Sequence, residues 1–342
     1  MRNRVLALAT AAVAASVAVI GLSAQSAAQD AGKTAVPPTV SPSMRTPWGH
    51  PDLQGTWDYR TITPLERAAA LGNREFYTVE EIKTMEARAA KRMDEAPEEG
   101  APAGTVHPTY WTDPGRFVDE QRRTSLIVDP PNGRIPPLTT EAQARGGRGG
   151  RGGGGANARQ GGRADSWLDR TVLERCIAWG LPTALLPGLY NNNIRIVQTP
   201  DTVVIVHEMV HDARVIPLDG RPQPPATMKA WMGSSRGRWE GDTLVVETTN
   251  FTDKISYRGA TSNIKLTERY RRVGPQAVEM RLTVEDPATW TQPWTAKVNM
   301  RPAEGELYEY ACHEGNYGLR NILEVARDEE KAAAEAAAKS SK

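Results

Sequence analysis

The stretch from Thr202 to Trp239 constrains the fold most, because it holds the densest run of β-branched residues and also reads His-Glu-Met-Val-His at 207–211. These five residues match the H-E-x-x-H signature, in which two histidines on one helix face bind zinc and the glutamate acts as a base. On a strand, the same histidines stand roughly 13 Å apart at about 3.3 Å per residue, too far to share one ion. The choice between helix and strand therefore decides the functional interpretation.

The neighbouring residues favour a strand. Val203–Val206 precede the motif and Val215-Ile216 follow it, and β-branched side chains lose rotamer freedom in a helix. Turn-forming residues bound the segment at 199–201 and at 219–220. A helix is kept as the alternative, because several of these valines also share one helical face with His207. We therefore expect no metal ion and no bound cofactor.

The rest of the chain predicts a mainly β fold. Strands are predicted at Ile194–Gln198, Val203–Val210, Ala213–Leu218, Gly237–Glu240, Thr243–Thr249, Ile264–Val273, Ala277–Val284, Thr295–Met300 and Leu307–Cys312. Short strands joined by tight turns indicate an antiparallel meander that closes as a barrel. The residues Gly55-Thr56-Trp57 resemble the first strand of lipocalin-type barrels. We expect a lipocalin-like antiparallel β-barrel with N-terminal helical decoration, including a helix from a Thr78–Glu81 capping box to about Asp94.

Composition divides the chain into segments. Residues 1–28 combine a basic start, an apolar core and small residues at the end, which is typical of a signal peptide. Residues 29–50 read as a flexible lead-in and residues 51–325 as one barrel domain. The Arg/Gly-rich stretch 144–164 is predicted to be a disordered insert within that domain, and 326–342 a polar helical tail. We expect a periplasmic or secreted protein.

Charge and cysteine content restrict the partners. The chain carries 42 Lys and Arg against 41 Asp and Glu, which gives no reason to expect a nucleic-acid partner. No second apolar run is long enough to cross a bilayer, so no membrane insertion is expected after signal removal.

Cys176 and Cys312 are the only cysteines and are expected to form a disulfide that links the start of the core to its last strand, with two free thiols as the alternative. The oligomeric state stays open.

Charged residues near the motif suggest a site inside the barrel. If the whole stretch is extended, Glu208, Asp212 and Arg214 share one face of the strands, while His207 and His211 share the other. Charges that point into a barrel are costly unless they are paired or hydrated. Two interpretations remain open, namely a polar ligand cavity and a structural ion-pair network.

Three functions are compatible with these residues. The first is an exported barrel that binds a small, partly polar ligand in its mouth, with His207, Glu208, Arg214, Arg221, Trp231 and Trp239 as lining residues. The second is a metal-independent lyase, isomerase or hydrolase that uses a His–carboxylate acid/base pair, with His211, Asp212, His313 and Glu314 as candidates. The third is a zinc hydrolase with His207 and His211 as ligands and Glu208 as base.

Several longer motifs carry a family resemblance. They are Trp-Thr-Asp-x-Gly (Trp111–Gly115), Arg-Arg-Thr-Ser-Leu-Ile-Val-Asp-Pro-Pro-Asn-Gly-Arg (Arg122–Arg134), Asp-Arg-x-x-x-Glu-Arg-Cys-Ile (Asp169–Ile177), Ile-Pro-Leu-Asp-Gly-Arg-Pro (Ile216–Pro222), Gly-Arg-Trp-Glu-Gly-Asp-Thr-Leu-Val-Val-Glu-Thr (Gly237–Thr248) and Tyr-Glu-Tyr-x-Cys-His-Glu-Gly-Asn-Tyr (Tyr308–Tyr317). With these motifs the chain resembles a large uncharacterised family of secreted bacterial β-rich proteins. The resemblance implies export and one β-rich domain, and it assigns no reaction and no catalytic residue.

Overall fold

Ten strands form one antiparallel sheet that curls into a nearly closed barrel. The computed structural model describes residue 41 and residues 44–94, 112–148, 164–254 and 257–340. These all belong to one compact unit, Val40–Lys342. The mainly β fold expected from the sequence is confirmed. The predicted signal peptide, 1–28, lies outside the described residues, as do most of the lead-in, 29–50, and most of the insert, 144–164.

The strands are β1 (Gly55–Asp58), β2 (Ile127–Asp129), β3 (Asn193–Gln198), β4 (Thr202–His207), β5 (Ala213–Pro217), β6 (Ser234–Glu240), β7 (Thr243–Thr249), β8 (Lys265–Gly274), β9 (Ala277–Glu285) and β10 (Trp294–Pro302). Their order in the sheet is β5-β4-β3-β1-β10-β9-β8-β7-β6, and β2 pairs with β10 beside β1. Strand β1 precedes the Arg/Gly insert and pairs with β3 and β10, which follow it. Residues from both sides of the insert therefore form one wall.

Alternating side chains fill the barrel. In β3 and β4 the buried residues include Ile194, Ile196, Val203 and Ile205, and Ile196 lies opposite Ile205 in the ladder. Their neighbours along each strand are more exposed, as expected for a strand with one buried face. The interior is thus built mainly of aliphatic residues.

The barrel closes between β5 and β6 by side-chain packing, since the two strands are the unpaired ends of the sheet path. Gly237 of β6 lies so close to β5 that an added Cβ would stand 2.9 Å from Ile216 Cγ2 and 2.5 Å from Leu218 Cδ2. The missing side chain of Gly237 lets these two residues reach across and cover the seam.

One end of the barrel is closed by the segment before β1. The backbone N–H of Leu53 donates to Gln198 Oε1 at 2.6 Å, and Trp57 Nε1 donates to the Leu53 carbonyl at 2.8 Å. The Arg272 guanidinium lies 4.8 Å from the centre of the Trp57 ring. We call this the closed end. Trp57 is buried at this end.

Among the described residues, three α-helices lie outside the barrel, namely α1 (Val79–Asp94), α2 (Thr140–Arg148) and α3 (Tyr317–Ser340). The predicted capping box of α1 is confirmed, because Thr78 N–H donates to Glu81 at 2.8 Å and Glu81 N–H to Thr78 Oγ1 at 3.2 Å. Only Ala89 of α1 is buried, so α1 is a surface helix. No helix of the described residues is both long and apolar enough to cross a membrane.

Some predicted element boundaries differ from the structure. The strand expected at Val203–Val210 ends at His207. Leu307–Cys312 forms no strand, because both edges of β10 are already occupied by β9 on one side and by β1 and β2 on the other. Helix α3 begins at Tyr317, before the predicted tail, and α2 includes 144–148 of the predicted insert.

The predicted disulfide between Cys176 and Cys312 is present, with Cα atoms 5.6 Å apart. It joins two segments that belong to no strand, since nine residues without regular structure, 303–311, separate Cys312 from the end of β10. The expectation that the bond holds the last strand is therefore wrong. Asn316 supports the bond by donating from Nδ2 to Cys176 Sγ at 3.3 Å.

Candidate functional site

The H-E-x-x-H motif ends a strand and forms a tight turn. Strand β4 stops at His207, whose N–H donates to the Asp212 carbonyl at 2.8 Å. Val210 and His211 both have left-handed backbone, with φ of 61° and 58°. This conformation is strained in a β-branched residue, and such strain clusters at functional sites.

The turn changes which motif residues share a face. Because the chain reverses within 208–212, His207 of β4 and Arg214 of β5 both point into the barrel and are buried. The expectation that Glu208, Asp212 and Arg214 share one face, opposite His207, is wrong. It assumed one extended run, and the turn breaks the two-residue alternation.

Arg214 is held by a carboxylate from the opposite wall. Its Nη1 and Nη2 donate to Glu268 Oε1 and Oε2 at 2.7 and 2.6 Å, and the Tyr270 hydroxyl donates to Glu268 Oε2 at 2.6 Å. The side chains of Arg214 and Glu268 are 3% and 0% exposed. Burial alone would lower the pKa of Arg214, but the Glu268 charge and hydrogen bonds raise it overall. The interior therefore holds a structural ion pair, but its carboxylate is Glu268 and not Glu208 or Asp212, which the sequence had suggested.

His207 is neutral and has a fixed tautomer. Its Nδ1 lies 3.0 Å from the Ala184 carbonyl oxygen, and since a carbonyl only accepts, Nδ1 carries the hydrogen. Burial and then the nearby Arg214 charge lower the pKa of His207 to about 3, against the opposing effect of the Ala184 bond. Its Nε2 is therefore an unprotonated acceptor at neutral pH.

Nine buried side-chain polar atoms lack a hydrogen-bond partner in the described part of the chain. They include His207 Nε2, an acceptor, and Arg214 Nε and Trp294 Nε1, both donors. Buried polar atoms without a partner are destabilising, so they require a physical explanation.

A short segment covers the barrel end opposite the closed end. Residues Leu181–Leu186, here called the plug, place Leu181, Leu185 and Leu186 in the core. The Ala184 carbonyl accepts from both His207 Nδ1 and the Tyr59 hydroxyl, the latter at 3.2 Å. We call this end, which the plug covers and the 208–212 turn borders, the mouth.

Two carboxylates lie in the turn at the mouth. Glu208 accepts from Asn193 N–H at 3.1 Å and from Asn193 Nδ2 at 2.8 Å, and Asp212 Oδ2 accepts from Trp179 N–H at 3.3 Å. Burial raises the pKa of both carboxyl groups, while these hydrogen bonds oppose the rise. His211, between them in sequence, is exposed.

The other predicted site residues are dispersed. Trp239 stacks on His50, with ring centres 4.7 Å apart, next to the turn of 241–242 at the closed end. Arg221 is exposed and binds Asp219. Trp231 is half-buried and precedes β6 at the mouth. Of the predicted lining, only His207 and Arg214 meet in the interior, with Glu208 beside them at the mouth.

The predicted acid/base pairs do not form among the described residues. His313 and Glu314 are exposed in the turn after Cys312. Within the residues that the structure describes, neither His211 nor His313 makes a hydrogen bond or an ion pair with a carboxylate. The described ranges also contain no group of three or more His, Cys, Asp or Glu side chains arranged to hold a metal ion.

Three functional residues were missed from the sequence. Tyr59, Glu268 and Tyr270 all contact the buried polar groups. Glu268 and Tyr270 follow Leu266 at two-residue spacing, so an inward-facing Leu266 places both inside the barrel. A glutamate at an inward-facing position of a central strand is the sequence feature that could have identified this buried polar group.

Comparison with known proteins gives no relative. No protein-family model, no curated protein and no solved structure matches this chain.

Proposed function

We propose that this chain is an exported, lipocalin-like barrel protein that binds a small, partly polar ligand at its mouth. The ligand lies between the plug and Arg214 and contacts His207. A polar group that both donates and accepts, such as a hydroxyl, an amide or a carboxyl group, meets the requirements of His207 Nε2 and Arg214 Nε together.

One observation carries the proposal. A purely structural pair between Arg214 and Glu268 explains the bidentate contact, but it does not explain why His207 Nε2 and Arg214 Nε stay unpaired in the interior. Aliphatic side chains of similar volume would avoid that penalty. A ligand that pairs with both atoms accounts for their retention. Catalysis by a His–carboxylate pair stays a prediction.

Export is part of the proposal and has two supports. The first is the signal-like composition of 1–28. The second is the Cys176–Cys312 disulfide, a bond that persists in oxidising compartments. Fractionation of cells that express the full chain tests it, with the processed protein expected in the periplasm or the medium.

The binding proposal is tested with a matched pair of variants. His207→Leu removes the interior imidazole, and His313→Leu makes the same change at an exposed histidine outside the mouth. Small apolar acids, amides and alcohols are screened by thermal shift and calorimetry. We expect a compound that raises the melting temperature of the wild type and of His313→Leu, but not of His207→Leu. Binding that survives in His207→Leu, or no binding to the wild type, contradicts the proposal.

A further inference from the structure

Three arginines are buried in the described part of the chain, and one of them has no carboxylate partner. Arg170 binds Glu174 at 2.5 Å, and Arg214 binds Glu268 at 2.7 and 2.6 Å. Arg67 is only 2% exposed, and it forms no ion pair with a carboxylate of the described residues. A buried charge without a counter-charge is costly, so Arg67 requires a physical explanation.

The hydrogen bonds of Arg67 account for only part of its guanidinium. Its Nε donates to Thr124 Oγ1 at 2.9 Å, and its Nη1 donates to the Pro131 carbonyl at 3.0 Å. Its backbone N–H donates to the Gly133 carbonyl at 2.8 Å. These bonds hold the loop 130–134 against Arg67. The third nitrogen, Nη2, is buried and has no partner within the described ranges, so a structural role leaves it unexplained.

Two more arginines lie next to this guanidinium. Thr124, which accepts from Arg67, directly follows Arg123 in the chain. Gly133 lies so close to Arg67 that an added Cβ would stand 3.0 Å from its Cζ, and Arg134 is the next residue. The chain segments before and after β2 therefore bring Arg123 and Arg134 to the same place as Arg67.

The charge at this place is positive overall. Burial lowers the pKa of the Arg67 guanidinium, and the charge of Glu75 opposes that effect. The charges of Arg123 and Arg134 lower the pKa further. Glu75 lies 3.7 Å from Arg123 Nη2, and 45% of its side chain is exposed. Three arginines against this one glutamate leave two positive charges in excess, and like charges at close range repel.

The other two arginines also have unused donors. Arg123 Nε is buried and has no partner in the part of the chain that the structure describes, while the guanidinium lies 5.5 Å from the centre of the Phe76 ring. Arg134 is half-buried, and its side chain forms no hydrogen bond or ion pair with another described residue. The Arg134 guanidinium is therefore free to turn toward a bound group. The Arg123 side chain is 14% exposed, so the cluster reaches the surface.

The class of ligand follows from these donors and charges. A guanidinium group donates well to the oxygen atoms of phosphate and carboxylate groups. Two excess positive charges match a dianion better than a monocarboxylate. A phosphate group carries a charge of about −1.5 to −2 at pH 7 and offers three strong acceptor oxygens. A sulfate ion has the same shape and a similar charge.

We propose that Arg67, Arg123 and Arg134 form a second binding site, which takes a phosphate or sulfate group. An oxyanion between the three side chains receives hydrogens from the unused donors and neutralises the excess charge. Arg123 and Arg134 belong to the longest sequence motif, Arg122–Arg134, which the proposed ligand site at the mouth does not use. The two sites share no residue, so either proposal can fail without the other.

Inorganic phosphate and sulfate are the probes, titrated by calorimetry into the purified full chain in a chloride buffer of constant ionic strength. We expect saturable binding of both ions, and binding of acetate that is weaker by about tenfold or more, because acetate carries one charge. Glycerol 3-phosphate distinguishes the source of the group. Binding as tight as that of phosphate, or tighter, indicates an organic phosphate, whereas weaker binding indicates the free ion.

Arg134→Gln tests the site without disturbing the bonds of Arg67 to the loop 130–134. It is expected to weaken phosphate binding about tenfold or more, because a hydrogen bond to a charged group is lost. Arg195→Gln is the matched control, since it removes the same charge from a side chain on β3 that is 52% exposed, and it is expected to leave phosphate binding unchanged. Glu75→Gln removes the opposing charge and is expected to tighten phosphate binding about threefold.

The melting temperature separates a binding role of Arg134 from a structural one. Without phosphate, Arg134→Gln relieves repulsion on Arg67 and is expected to melt at the wild-type temperature or above it. With phosphate, the wild type is expected to gain more than the variant, because only its site is complete. Phosphate and sulfate also stabilise proteins by being excluded from their surface, but both proteins share that gain. The difference between them therefore reports binding.

Three results would overturn the second site. The first is a wild type that binds neither phosphate nor sulfate in a saturable way. The second is phosphate binding that Arg134→Gln leaves unchanged. The third is an Arg134→Gln variant that melts below the wild type without phosphate and gains as much as the wild type when phosphate is added. None of these results bears on the mouth, whose test depends on His207.

Discussion

Arg214 and Glu268 face each other inside the barrel through two parallel hydrogen bonds of 2.7 and 2.6 Å. Arg214 lies on β5, at the unpaired end of the sheet path, and Glu268 lies on β8. The pair therefore links the seam strand to a strand that is not its neighbour in the sheet. Removing one partner leaves the other charge buried and unpaired, which typically costs about 3–5 kcal/mol.

The first prediction concerns this pair. Arg214→Met and Glu268→Gln are each expected to lower the free energy of unfolding by about 3–5 kcal/mol. The double variant is expected to lose clearly less than the sum, because neither charge is then left alone. Gln at 268 keeps an acceptor for the Tyr270 hydroxyl. Urea unfolding monitored by circular dichroism gives the three values.

The control for this cycle is an exposed pair. Arg238 and Glu240 lie 2.7 Å apart with side chains 50% and 40% exposed, and Arg238→Met is expected to change stability by about 1 kcal/mol or less. Additive losses at Arg214 and Glu268 would show that the two charges are not coupled.

The second prediction is a pH dependence from His207. The unfolded histidine takes up a proton near pH 6.5, whereas the folded one does so only near pH 3, because burial and the Arg214 charge lower its pKa. Between these values the unfolded state binds more protons. The free energy of unfolding therefore falls as the pH falls, by about 1.4 kcal/mol per pH unit at most.

A non-titrating variant isolates this effect. His207→Gln keeps a side-chain donor for Ala184 and cannot take up a proton. Glu208 and Asp212 have raised pKa values and contribute with the opposite sign, but they are common to both proteins. The difference between wild type and His207→Gln, from urea unfolding at pH 4 to 7, is expected to shrink as the pH falls. A constant difference would refute the buried neutral histidine.

Sequence reasoning found the sheet because the strands alternate with period two. Val203 and Ile205, with Val278 and Met280, carry that pattern, and it survives in the structure. Leu307–Cys312 shows a similar pattern and forms no strand, because β10 has no free edge left. Local pattern predicts which residues suit a strand, whereas pairing depends on distant residues.

The site was predicted only in part for the same reason. His207 and Arg214 were both recognised, but they were placed on opposite faces, since the left-handed turn at Val210 and His211 has no glycine to indicate it. Ala184 contributes through its carbonyl, which every residue has, so no side-chain pattern points to it. The contribution of a backbone group to a site is therefore visible only in the three-dimensional structure.

The third prediction concerns the seam between β5 and β6. Gly237→Ala places a Cβ 2.5 Å from Leu218 and 2.9 Å from Ile216, so side chains at the seam must move. Overpacking of this kind is expected to lower the free energy of unfolding by about 1–3 kcal/mol. Gly274→Ala is the matched control, because its Cβ meets only Ala277 at 3.8 Å, an ordinary contact. Equal stability of the two variants in urea would show that the seam is loosely packed.

The fourth prediction concerns the Cys176–Cys312 disulfide, which closes a loop of 136 residues. Joining distant residues restricts the unfolded chain, and for loops of this length the stabilisation is about 3–5 kcal/mol. The double variant Cys176→Ser, Cys312→Ser is expected to lose that amount in urea unfolding. A reductant is expected to shift the wild type to the midpoint of the double variant and to leave the double variant itself unchanged. A wild-type midpoint that does not respond to full reduction, verified by thiol labelling, would mean that the unfolded chain gains little freedom from breaking the bond.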